Sequence, residues 1–200
     1  MNEIILYNLF KEIIKNSYTL QGRFLMAEGY GNDLNNGNFD DVIKDALGGL
    51  QPQQIKYPLA ILMPPFEQIR NFHYKFSSFR IDIFFLTEHQ QLNNQFKDWN
   101  INTNAGERQI MEDWVEMRKV ATQFKATLDK IIKEQVLSNK FHSIESTESI
   151  RRLSKMNNDR LNGVLLSFDM QIFLDCDTSD INPAVYSIDF DNLLFLLVAP

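Results

Sequence analysis

The segment from Asn104 to about Ser138 constrains the fold more than any other part of the sequence. Apolar residues recur there every three or four positions, and charged residues such as Lys125 fall on the other faces, as in an amphipathic helix. The apolar stripe consists of Ile110, Trp114, Met117, Ala121, Phe124, Leu128, Ile131 and Ile132. A helix of about 30 residues is roughly 45 Å long, which exceeds the core of a small domain. We therefore expect it to lie across a sheet or to extend to a neighbour, with Asn104 and Glu107 forming a capping box at its start.

Strand patterns precede this helix. The apolar run Tyr57–Pro65 is framed by prolines, which fit the ends of a strand because proline has no backbone N–H to donate. A second strand is expected from Asn71 to Phe76 and a third from Phe79 to Thr87. We expect these two strands to pair as a hairpin across Ser77 and Ser78.

Further strands are predicted after the long helix. Two short ones, Phe141–Ile144 and Ile150–Leu153, are separated by the polar stretch Glu145–Ser149. From Gly163 to Leu174, every second residue is apolar, which is typical of a strand with one face over a core.

Two more helices complete the expected fold. Asn2 to about Asn16 carries an apolar stripe, and a short helix from Phe39 to Leu47 follows a Gly/Asn-rich loop and is capped by Asn38. The pattern predicts an α+β fold with a mainly antiparallel sheet, on which an N-terminal helix and one long helix pack. We expect a single domain over residues 1–176 and a C-terminal extension over residues 177–200.

Charge and composition exclude several classes of protein. The chain has 20 Lys and Arg against 26 Asp and Glu, a net charge of −6, which is atypical of a free-standing nucleic-acid binder. Its single cysteine, Cys176, cannot form an internal disulfide. The start of the chain, with Glu3, lacks the basic region of a signal peptide. The apolar run Leu193–Ala199 is about a third of the ~20 residues that a spanning helix needs, so no membrane anchor is expected.

Motifs that carry familiar chemistry are absent from the sequence. It contains no P-loop, no GxGxxG, no GxSxG, no HExxH and no CxxC pattern. The Gly31–Gly37 stretch fails as a calcium loop because Leu34 falls on a ligand position. The carboxylates of Asp175 and Asp177 disfavour a thiolate at Cys176. We therefore assign no catalytic, cofactor-binding or metal-binding residue and expect no enzyme.

The only dense basic stretch comprises Arg151, Arg152, Lys155 and Arg160. Such arginines contact phosphate or pair with carboxylates of the same chain or of a neighbouring subunit. The residues that we expect at an interface are Arg151, Arg152, Phe190, Leu193 and Phe195.

Two alternatives from other functional classes stay open. A metal-dependent hydrolase would use Asp82, His73 and Glu88, which lie in or next to the predicted hairpin. A generic adaptor would instead bind a partner helix through the long-helix stripe at Phe124.

The order of elements carries a resemblance to a known family. The proline-framed run Tyr57–Pro65, the strand ending in Ile81–Leu86, and Asn158–Gly163 before the strand that finishes at Cys176 together resemble tail-terminator and neck (head–tail connector) proteins of tailed bacteriophages, in particular those of Bacteroidetes phages. The similarity covers residues 40–176, and its most specific part is the Asp-Arg-Leu-x-Gly stretch.

The resemblance implies a structural virion protein without an active site or cofactor. Subunits of that family form a ring, often a hexamer, that joins the tail to the head and lets DNA pass. The implied partners are other copies of the chain, tail-tube proteins and head-completion or portal-side proteins, with assembly in the host cytoplasm. Another connector or stopper ring would share these features. The 24 residues from Asp177 depart from the family, and we expect them to form an arm that bridges subunits.

Overall fold

A computed structural model describes residues 2–27, 39–48, 57–64, 66–71, 76–88, 105–134, 141–156 and 161–173. This part of the chain forms an α+β fold, as predicted. Its elements are α1 (Asn2–Lys15), β1 (Phe24–Met26), α2 (Phe39–Gly48), β2 (Leu59–Leu62), β3 (Phe66–Asn71), β4 (Phe76–Glu88), α3 (Ala105–Glu134), β5 (Phe141–Met156) and β6 (Leu161–Phe173).

The strands form one sheet in the order β1-β2-β4-β6-β5, with β3 paired to the first half of β4. Among the described strands, β1 and β2 run parallel and all other pairs run antiparallel. β4 and β6 pair along their whole length, from Phe76 opposite Phe173 to Glu88 opposite Leu161. This long pair is the centre of the sheet, so both strands are rich in apolar residues.

Helices cover both faces of the sheet. α1 and α3 pack on the face that carries Phe85 and Val164, whereas α2 packs on the face that carries Phe84 and Leu165. The prediction of a single apolar face for β6 is therefore wrong for residues 161–168, all of which are buried. A strand that is buried on both faces has apolar residues at consecutive positions. In β6 the second face is buried by α2.

The core between α1, α3 and the sheet is aromatic. The rings of Phe10 and Phe124 meet edge to face with centroids 5.5 Å apart, and the centroids of Phe85 and Phe124 are 5.7 Å apart. Met117 and Phe124 are buried, which confirms the long-helix stripe as core. Because Phe124 packs inside its own chain, the adaptor alternative, which required it to contact a partner helix, is wrong in that form.

The expected hairpin across Ser77 and Ser78 is wrong. β3 occupies Phe66–Asn71, and both serines lie inside β4 and are buried. Ser77 pairs with Ile172 on one side of β4 and with Arg70 on the other, so tertiary pairing overrides the turn preference of serine. The connection, residues 72–75, lies outside the described residues.

β5 is one strand, whereas the sequence pattern predicted two. Its pairing with β6 shifts register between Ile144, opposite Asp169, and Ser149, opposite Ser167. Between these two pairs, β5 advances by five residues and β6 by two. The polar stretch was correctly located as an interruption, but a bulge absorbs the extra residues without ending the strand.

The helix predictions hold where the structure describes them. α1 and α2 match the two short predicted helices, and α3 lies across β4, β5 and β6. Predictions for Asn104, the loop Gly29–Asn38, Cys176 and residues 177–200 fall outside the described residues. No helix in the described ranges combines the length and the hydropathy that a membrane span requires.

Candidate functional site

The structure separates the two arginines that the sequence placed at an interface. Both are exposed on β5, where successive side chains point to opposite faces. Arg152 stands opposite Val164, on the face covered by α3, and Arg151 stands opposite Leu165, on the face covered by α2. The pair is therefore not one basic patch, and only Arg152 faces α3.

Arg152 lines a groove between α3 and β5. The groove encloses about 530 Å³. We call it the α3–β5 groove and define it by Trp114, Val115, Arg118, Glu148, Ile150 and Arg152. It combines apolar side chains with two arginines and one carboxylate, a mixture that is common in protein interfaces.

Trp114 is held in place at the edge of this groove. Its indole Nε1 donates a hydrogen bond of 2.6 Å to the carbonyl oxygen of Leu153, where β5 begins its second register shift. The guanidinium carbon of Arg152 lies 5.3 Å from the centre of the Trp114 ring, a cation–π contact worth about 0.5–1 kcal/mol at an exposed site. These contacts tie α3 to β5 and give the groove a rigid wall.

A second stripe on α3 borders the groove. Met111 is 59% exposed and Val115 is 69% exposed, and Arg118 continues the same helical face. Each residue of this stripe comes directly after a residue of the core stripe, namely Ile110, Trp114 and Met117. Sequence reasoning missed it, although the apolar residues at positions 111 and 115 were its visible signal.

The electrostatics of the groove depend on a buried lysine. Lys125 was predicted on a solvent-facing side of the helix, but it is only 3% exposed. Its amine lies 2.6 Å from Asp129, 3.7 Å from Glu148 and 5.4 Å from the centre of the Phe168 ring. Asp129 is the nearer partner of Lys125, so Glu148 keeps part of its negative charge, but Arg118 and Arg152 outnumber it in the groove and give the lining a net positive charge.

A polar cluster occupies the other face of the sheet, beside α2. Arg80 Nη1 lies 3.1 Å from Asp169 Oδ1, and Arg80 Nε lies 3.5 Å from Asp82 Oδ1. The hydroxyl of Ser167 also donates to Asp82. Both carboxylates are thus engaged by neighbouring strands, and the cluster stabilises the β4–β6 pair.

The structure does not bring together the residues proposed for a hydrolase. Asp82 and Glu88 share a face of β4 but are six residues, or about 20 Å, apart. His73 lies outside the described residues, and His142 is exposed on β5. Among the described residues, no group of three or more His, Cys, Asp or Glu side chains is placed to hold a metal ion.

The stretch that carries the family resemblance has structural roles where it is described. Asn162 Nδ2 donates a 2.8 Å hydrogen bond to Asp113 Oδ2, and both residues are buried. A side chain on Gly163 would place its Cβ 2.0 Å from the carbonyl oxygen of Phe85. Asn162 thus fastens β6 to α3, and Gly163 allows β6 to approach β4 closely. Asn158, Asp159 and Arg160 lie outside the described residues.

The remaining interface candidates, Phe190, Leu193 and Phe195, also lie outside the described residues. A comparison with protein-family models finds no match, and none of the curated proteins is significantly similar to this chain. The α3–β5 groove is therefore the candidate functional site, on its geometry and chemistry alone.

Proposed function

We propose that this chain is the subunit of a homo-oligomeric ring in the neck or tail of a tailed bacteriophage, acting as a tail terminator or neck protein. The α+β class, with helices packed on a mainly antiparallel sheet, supports this proposal, since it is the fold class that the resemblance implies. A stopper or another connector ring is the closest variant of the same function. The ring would contact tail-tube proteins on one side and head-completion or portal-side proteins on the other.

The observation that carries the proposal is a surface suited to self-association. β5 is the last strand of the sheet, is 16 residues long, and has no strand on its outer edge within the described residues. A long free edge is a ready template for another chain. The exposed Met111 and Val115 and the α3–β5 groove lie beside it.

The size of this surface fits a subunit contact. A stable interface buries about 800 Å² on each partner. Because of its bulges, β5 runs along β6 only from Ile172 to Leu161, about 36 Å, and the groove and the α3 stripe broaden the surface along it. Met111, Val115 and Trp114 would supply the apolar centre of the contact, with the arginines at its rim.

The charge of the chain suits the passage of DNA. Each phosphate that Lys or Arg neutralises adds salt-dependent affinity, which would hold DNA in a channel instead of letting it slide. A subunit with a net charge of −6 supports a neutral or acidic lumen.

Mass and shape measurements on the purified full-length chain test the proposal. We expect light scattering to give a closed oligomer, native mass spectrometry to resolve it as a hexamer, and negative-stain images to show rings. A chain that stays monomeric at high concentration and is missing from virions would rule the proposal out.

A pair of matched variants tests the assigned surface. Val115→Asp places a charge on the α3 stripe, where Val115 is 69% exposed, and should dissociate the oligomer. Ile4→Asp makes a similar change on α1, where Ile4 is 64% exposed, and should leave the oligomer intact. Equal behaviour of the two variants would show that the contact lies elsewhere.

A further inference from the structure

We propose that the C-terminal segment, residues 184–200, of one subunit occupies the α3–β5 groove of the adjacent subunit. This inference rests on the proposed ring and names the partner of its groove. The 17 residues of this segment contain two aspartates, Asp189 and Asp191, and no lysine, arginine or histidine, so the segment carries a net charge of −2. The segment also contains the unbroken apolar run Leu193–Ala199. Apolar runs of this kind are stable in water only when they are covered.

The groove matches this segment in both charge and polarity. Arg118 and Arg152 offer guanidinium groups that bind carboxylates in a bidentate manner, and Asp189 and Asp191 flank Phe190 in the segment. Glu148 opposes these aspartates only in part, because the amine of Lys125, which is shared with Asp129, lies 3.7 Å from its carboxylate and the two arginines outnumber it.

Apolar contacts distinguish this occupant from a nucleic acid. Met111 and Val115 are exposed beside the arginines, and they would cover the apolar run that follows Asp191. A phosphate backbone would pair with the arginines but would leave these two side chains in water. The mixed surface therefore favours an acidic and apolar peptide.

The length of the chain after β6 allows the segment to reach a groove. β6 passes the groove at Val164 and runs nine residues, about 30 Å, to Phe173 at the far end of the sheet. Fifteen residues separate Phe173 from Asp189, and they can extend up to about 50 Å. This length reaches the groove of the same chain as well as that of a neighbour, so the assignment to the adjacent subunit rests on the proposed ring.

Disulfide trapping in the full-length chain tests this assignment. All chains carry Cys176→Ser, one preparation also carries Val115→Cys, and a second with a different affinity tag also carries Phe190→Cys. After the two are coassembled and oxidised, we expect a cross-linked species that contains both tags. A matched control replaces Val115→Cys by Ile4→Cys and should give no cross-link. A chain that carries Val115→Cys together with Phe190→Cys should form a ladder of oligomers. An internal disulfide alone, or equal cross-linking to Ile4→Cys, would overturn the proposal.

Charge reversal provides a second test with its own control. Arg152→Asp should raise the subunit dissociation constant about tenfold or more, because it opposes the aspartates of the segment. Lys11→Asp makes the same change in charge at an exposed position of α1, away from β5, and should have little effect. Combining Arg152→Asp with Asp189→Arg should restore association.

The possible failures are distinguishable. Rings that form without the cross-link would overturn the groove assignment and leave the proposed function standing. A monomeric wild-type chain would remove the proposed function. Rings that form without the cross-link could be tested for binding of labelled duplex DNA. If they bind it and Arg152→Asp abolishes the binding, the groove is a nucleic-acid site instead.

Discussion

Replacing Gly163 by alanine should destabilise the protein more than any other single-methyl change described here. Gly163 lies in β6 opposite Leu86 of β4. An added Cβ would stand 2.0 Å from the carbonyl oxygen of Phe85 and 3.0 Å from the Leu86 Cα. Both are backbone atoms at the centre of the sheet, so no flexible side chain can move aside, and the two strands must separate.

The expected magnitude follows from this geometry. Ordinary contacts begin near 3.4 Å, so the methyl group is about 1.4 Å too close. Overpacking of a core costs about 1–3 kcal/mol, and each ladder hydrogen bond weakened by strand separation adds about 1 kcal/mol. We therefore expect Gly163→Ala to lower the free energy of unfolding by about 3 kcal/mol, a large part of the 5–15 kcal/mol typical of a domain.

Urea denaturation followed by circular dichroism measures this loss. With a slope of about 2 kcal/mol per molar urea, the midpoint should fall by about 1.5 M at unchanged slope. Gly48→Ala is the matched control, because Gly48 ends α2 and a Cβ there meets nothing within 4 Å. That variant should be neutral or up to about 1 kcal/mol more stable. If the free energy of unfolding of Gly163→Ala lies within about 0.5 kcal/mol of the wild-type value, a Cβ at this position does not force β4 and β6 apart.

Three further changes test other contacts. Trp114→Phe keeps the ring but removes the donor to the Leu153 carbonyl, so the free energy of unfolding should fall by about 1–2 kcal/mol in urea titrations; no loss would show that the hydrogen bond is dispensable. Lys125→Met removes the buried partner of Asp129 and should destabilise by about 1–3 kcal/mol, and adding Asp129→Leu should recover part of that loss in a double-mutant cycle; strict additivity would contradict the ion pair. Leu128→Ala empties a fully buried position and should cost about 2–4 kcal/mol in thermal or urea unfolding, whereas a loss below about 1 kcal/mol would place this side chain outside the core.

Local periodicity predicted the elements whose burial follows a single pattern. The stripe of α3 includes Met117 and Phe124, and both lie in the core because a helix that packs on a sheet buries one face along its length. The same holds for α1. The prolines around β2 also marked its limits correctly, since Pro58 and Pro64 flank the strand Leu59–Leu62.

Pairing between segments that are distant in the sequence determined the limits of β4 and β5, which the local sequence patterns predicted wrongly. The sequence predicted a turn at Ser77 and Ser78, yet both residues lie in β4 and are paired with β3 on one side and with β6 on the other. The polar residues between Ile144 and Ser149 read as a break, yet β6 keeps β5 continuous around a bulge. Local propensity is weak compared with the hydrogen bonds and burial that a neighbouring strand supplies.

The candidate site shows the same division. Composition and motif content excluded familiar classes without assigning a function, and the sequence singled out Arg152 but grouped it with Arg151. Strand alternation assigns the two arginines to opposite faces, but only the packing of α3 on β5 places Arg152 over Trp114 and forms a groove there. Likewise, the buried amine of Lys125 lies over the ring of Phe168, 43 positions further along the chain, which no local pattern indicates.

The α+β class, the long helix and its core face follow from the sequence, because they depend on residues three or four positions apart or on alternation within one strand. The two covered faces of the sheet, the continuity of β5 and the α3–β5 groove emerge only when the chain is folded. Each of these depends on contacts between segments that are far apart in the chain, and the free energy of such contacts is not encoded in any one segment.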